Sequence, residues 1–166
     1  MTTPKPVDQF ASLVRQYASC IDGADDLTPH ALLSRCARLL PLIYNAGLDL
    51  PQVDSVDPDD TSPIDGAPTI PMSRLATKLG RCDFYYEVFD PVFDTEAIGA
   101  SLVDDLAEIY LDLVRPLMAF DLGHELDAHW SSWFAIRGHC GDHLVDALRV
   151  IHRLVNGHLP TDYNPE

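Results

Sequence analysis

Basic residues are scarce in this chain: 11 Lys and Arg stand against 26 Asp and Glu, a net charge of −15. A nucleic-acid binder must present clustered cations to phosphate, so direct binding to nucleic acid is set aside. Long apolar runs are missing as well. No stretch approaches the roughly 20 residues that a membrane helix needs. The segment Met1–Pro6 opens no apolar run of signal length before Asp8 interrupts it. The expectation is a cytoplasmic protein with no membrane contact. The four cysteines, Cys20, Cys36, Cys82 and Cys140, form no CxxC pair, which excludes a zinc ribbon or a thioredoxin-type motif and predicts reduced, buried thiols. There is no glycine-rich phosphate loop, no GxSxG elbow, no EF-hand spacing and no HExxH. Glu-x-x-His is absent too, and with it the ligand pattern of a di-iron bundle. No segment alternates with the period of a strand, and no internal repeat occurs.

What is present is helical periodicity. At 166 residues with 46% apolar and 22% charged, the chain fits one globular domain that buries roughly 70% of its unfolded surface. A first helix is predicted over Val7–Ile21, with Phe10, Leu13, Val14, Tyr17 and Ile21 on one face. Thr28 followed by Pro29 is an N-cap with proline at the first helical position. The second helix then runs to Gly47 through Pro41, whose ring opposes the carbonyl of Ala37. Residues 48–69 carry four prolines, six aspartates and no basic residue, and predict a long acidic loop around Asp57, Asp59 and Asp60. A third helix is expected over Pro71–Phe89, with Met72, Leu75, Leu79, Cys82, Tyr86 and Phe89 in phase. A fourth starts at Thr95-Glu96 and buries Leu106, Ile109, Tyr110 and Leu113. From Leu122 to Val155 one apolar stripe persists through Gly138 and Gly141, which predicts a single long C-terminal helix of about 50 Å. The fold class is therefore all-α: one domain over residues 1–166, a bundle of about five helices with a long last helix and an acidic, Pro-rich loop.

Six of the seven histidines, His124, His129, His139, His143, His152 and His158, fall in or beside that last helix. His139 and His143 are four apart, so one helical face presents both imidazoles, the spacing of helical metal sites. Metal sites demand three or four converging ligands, and shoulder histidines on an apolar stripe are the simpler reading. His129 lies near the middle of the stripe beside Trp130 and Trp133 and is expected as a buried polar residue in need of a hydrogen-bond partner. Asp83 and Glu87 are also four apart, with Asp83 at the edge of an apolar face. In the run Asp104-Asp105-Leu106-Ala107-Glu108, Asp105 and Glu108 gather with Asp112 opposite Leu106, Ile109 and Leu113. That arrangement predicts a solvated face or a docking surface for a cationic partner. Metal binding between Asp104 or Asp105 and the histidines requires a second face of this helix to be buried.

Three segments, DFYYEVFDP (83–91), SLVDDLAEIYLDL (101–113) and HCGDHLVDALRVIH (139–152), resemble a bacterial family designated domain of unknown function 5063. The resemblance spans most of the chain. It implies a helical protein and draws attention to Asp83, Asp104, Asp105, His139 and His143, but it implies no mechanism. Where that family shows His-Trp-Gly, this chain has His139-Cys140-Gly141.

Two functional expectations follow. The first is a non-enzymatic binding or regulatory protein that meets a basic protein partner through Asp105, Glu108 and Asp112 and uses no cofactor. The second is a metal-binding protein or metal-dependent enzyme holding a divalent ion such as zinc through His139 and His143 with Asp83, Glu87 or Asp104. Self-association is left open by either.

Overall fold

The computed structural model describes residues 5–54, 68–69 and 72–157. Among these, six α-helices and one short hairpin follow in the order α1 (Pro6–Asp22), α2 (Pro29–Leu48), α3 (Met72–Leu79), β1 (Phe84–Glu87), β2 (Ile98–Ser101), α4 (Leu102–Asp121), α5 (Glu125–Gly138) and α6 (Cys140–Val155). The all-helical bundle read from periodicity is the fold observed. Asp57, Asp59, Asp60 and His158 lie outside the described residues. No helix among the described residues is long and apolar enough to cross a membrane.

The first two helices form where their local signals say. The Thr28 hydroxyl accepts the Ala31 N–H at 3.1 Å, and Pro29 occupies the first turn, where its missing N–H leaves no gap in the ladder. Pro41 sits inside α2, as expected. The core is continuous, with Tyr17, Ile21, Leu40, Leu79, Leu106 and Ile109 all buried within it. The Tyr17 hydroxyl, fully enclosed, donates to the Leu106 carbonyl at 2.8 Å, so its polar end is satisfied. All four cysteines are free and buried.

Two boundaries differ from expectation. The third helix stops at Leu79, not Phe89, because Gly80 takes φ +50, a left-handed conformation that ends a helix. A single 3-10 turn then leads through Cys82 into β1. There Phe84 pairs with Ser101 and Glu87 with Ile98 in an antiparallel hairpin, although the sequence showed no strand period. Tyr86 and Phe89, expected in phase with a buried face, are exposed for that reason. The fourth helix accordingly begins at Leu102 rather than near Thr95.

The expected single C-terminal helix is two. His139 breaks it with φ −146 and ψ −62, lying between the helices as the C-cap of α5 and the N-cap of α6. The chain folds tightly there: a Cβ at Gly141 would overlap the carbonyl oxygen of Ile136. The apolar stripe holds from Ile136 through Leu154, while Leu122 and Leu126 at its start are exposed.

α4 is central, packed against α1, α3, α5 and α6. A helix surrounded in this way cannot keep a whole polar face in water, and that decides the fate of its acids.

Candidate functional site

Asp105 is 5% exposed. The expectation that Asp105 shares a solvated face with Glu108 and Asp112 is corrected at Asp105, which is buried; Glu108 and Asp112 are half-buried, and the stripe they share lies against α6. Burying a carboxylate is costly unless it is paired and hydrogen-bonded, and Asp105 is both. Its Oδ1 lies 2.8 Å from His143 Nδ1, and its Oδ2 accepts the Tyr85 hydroxyl at 2.7 Å. Asp112 Oδ2 lies 2.8 Å from His139 Nδ1. The pairing runs in opposite order along the two helices, as antiparallel neighbours require.

The two histidines, one helical turn apart, then meet. Their Nε2 atoms are 3.3 Å apart and their rings lie edge to face at 4.7 Å. An ionised carboxylate only accepts hydrogen bonds, so both Nδ1 atoms carry their proton. Both Nε2 atoms are left with lone pairs turned toward one another. Such a pair needs a cation between or beside its nitrogens, either a proton or a metal ion. Asp105 holds the His143 imidazole above its ordinary pKa through its hydrogen bond. Burial opposes that shift, and the charges of Asp105, Glu108 and Asp104 reinforce it.

The network continues onto the hairpin. Tyr85 also lies 3.0 Å from Glu87 Oε2, and burial together with Asp105 pushes its phenol well up, so it stays a donor. Glu87 also bears electrostatically on Asp146 of α6. Burial first and the Glu87 charge second raise the Asp146 carboxyl to about 6, with Arg149 opposing. Glu108, Asp112 and His139 each offer one ligand atom within 4.8 Å of the others.

Of the residues singled out from sequence, His139 and His143 come together, joined by Asp105 and Asp112 rather than by Asp83. Asp83 belongs to a helix cap. Its Oδ1 accepts the Ser101 hydroxyl at 2.7 Å and the Val103 N–H at 2.8 Å, while Ser101 Oγ accepts the Asp104 N–H at 3.1 Å. Asp104 is exposed, and its charge helps raise the His143 pKa. Glu87 reaches the cluster through Tyr85. His129 is half-buried rather than central, and its Nε2 has no partner among the described residues. Tyr85 and Asp146 were missed by sequence reasoning. The signal for Asp146 was its place one turn after His143.

A family model for a domain of unknown function, DUF5063, matches residues 2–156. The chain belongs to that family. The crystal structure of protein BF1032 from Bacteroides fragilis is similar across 98% of this chain and 95% of that one, with a TM-score of 0.77 at 21% sequence identity. That likeness shows a shared fold. A search of curated proteins gives no match.

Proposed function

For this member of the DUF5063 family we propose a divalent-metal protein, with zinc as the ion its donors suit best. The supporting observation is the Nε2–Nε2 separation of 3.3 Å between two imidazoles whose Nδ1 atoms are each held by a carboxylate. Two nitrogens bound at 2.0–2.1 Å to one tetrahedral zinc ion lie about 3.3–3.4 Å apart. Carboxylates on the far ring nitrogen fix the tautomer and raise the basicity of ligand histidines, and such partners accompany most metal-bound imidazoles. In this reading His139 and His143 are the nitrogen ligands, Asp105 and Asp112 orient the rings, and Glu108, whose ligand atom lies within 4.8 Å of those of His139 and Asp112, is the carboxylate available beside His139. Imidazole donors favour zinc and its transition-metal neighbours over magnesium and calcium.

Elemental analysis of the purified protein should find close to one equivalent of a transition metal. Saturating zinc should raise the melting temperature of chelator-treated protein by about 5–10 °C, the effect of a ligand at some hundred times its Kd on a domain of this size. His143→Ala should abolish both results. A metal-free protein whose melting ignores added zinc ends the proposal.

A second reading, a binding protein for a basic partner, draws support from the connection between β1 and β2. Phe89, Val92 and Phe93 are 76%, 79% and 84% exposed, with Asp90 and Asp94 among them. Exposed apolar groups interleaved with acids suit a partner that is both basic and apolar. Binding that weakens on Phe93→Ser and at high salt, but ignores zinc, would favour it.

A further inference from the structure

Beside the histidine pair, α4 and α5 enclose a cleft of about 350 Å³, and Asp112 and His139 are among the residues lining it. The volume falls in the range of small-molecule sites. Its walls are chiefly apolar, and Trp130 and Phe134 stand in them with their rings stacked at 5.2 Å and 12°. Phe134 is 53% exposed. Two aromatic rings one turn apart on α5 are thus spent on a cleft wall and not on the core. Arg115 is the one cation in the lining, exposed and with no ion-pair partner among the described residues. Its planar fork matches a carboxylate. Asp127, also in the wall, accepts the Ser131 hydroxyl at 3.3 Å.

We propose that this cleft binds a small planar aromatic acid, with its carboxylate on Arg115, its ring against the Trp130–Phe134 wall and a second oxygen donor turned toward the metal at His139. The carboxylate and ring contacts stand on the cleft alone, and the third contact rests on the metal reading above. Flat rings gain from offset stacking that a puckered ring lacks. A charge-assisted hydrogen bond from Arg115 distinguishes an acid from its neutral analogue.

Calorimetric titration of the full chain, with and without zinc, tests this with three probes: salicylate, benzoate and cyclohexanecarboxylate. Benzoate should bind saturably to both forms and more tightly than cyclohexanecarboxylate, while salicylate should exceed benzoate only when zinc is bound. Arg115→Gln, at an exposed position that leaves the fold intact, should weaken benzoate about tenfold. Trp130→Ala should do the same, with its melting temperature checked alongside. If zinc binds but neither aromatic acid does, the proposal is overturned. It is equally overturned if cyclohexanecarboxylate matches benzoate, or if Arg115→Gln changes nothing. If benzoate binds through Arg115 while zinc does not bind, the cleft stands and the metal reading fails.

Discussion

The smallest unit that explains this site is a single carboxylate with two donors. Asp105 gives one oxygen to His143 and the other to Tyr85, and its hydrogen bond is the main reason the His143 imidazole titrates high. Asp105→Asn keeps the shape and removes the charge. The His143 pKa, followed by the NMR shift of its ring proton, should fall back toward 6.5 in that variant; an unmoved value would assign the shift elsewhere. Asp146 makes a separate case. Its carboxyl is raised to about 6 from an ordinary 3.8, so the folded state binds a proton that the unfolded chain gives up. The resulting stabilisation is fully present below the unfolded value and is lost as the pH rises through about 6. Asp146→Asn mimics the protonated form. Melting curves of the two proteins should coincide near pH 4 and separate by pH 7, with the variant melting higher.

Elements divide into those announced by local chemistry and those decided by packing. The start of α2 was legible because Thr28-Pro29 acts within one turn. β1 was not, because four residues cannot separate a period of two from one of 3.6, and Tyr86 continued the phase of Leu79 and Cys82. The start of α4 had a usable signal in Ser101-Leu102-Val103-Asp104, a hydroxyl cap with an acid three residues on. The break at His139 kept its stripe in phase, so periodicity could not show it. Of the site, the spacing of His139 and His143 was readable, whereas their carboxylate partners were assigned to water. Angles on one helix cannot reveal that neighbours cover two of its sides. Asp83 separates the cap from the metal site experimentally. Asp83→Ala strips the Val103 N–H and the Ser101 hydroxyl of their acceptor and should cost about 1–2 kcal/mol in chemical denaturation. Zinc stoichiometry should be unchanged. A loss of metal in a folded Asp83→Ala protein would return Asp83 to the ligand set.

For the molecule as a whole, charge is the unifying feature. A net charge of −15 opposes compaction by self-repulsion, and part of that charge is gathered where β1, α4 and α6 meet, in Glu87, Asp105, Glu108, Asp112 and Asp146. Any added cation therefore stabilises this fold to some degree, and stabilisation by itself does not demonstrate a site. Concentration and ion type make the distinction. Screening by sodium chloride should raise the melting temperature gradually up to ~0.5 M, where the Debye length has shrunk to a few ångströms. Magnesium at ~50 µM should do almost nothing, because oxygen-preferring ions gain little from two imidazoles. Zinc at the same ~50 µM should give a rise that saturates with added metal, as mass action at one site requires. The zinc response should vanish in His139→Ala and His143→Ala while the response to salt survives in both. Equal effects of zinc and magnesium, or a zinc effect that outlives both histidine substitutions, would reduce the cluster to a patch of screened acids.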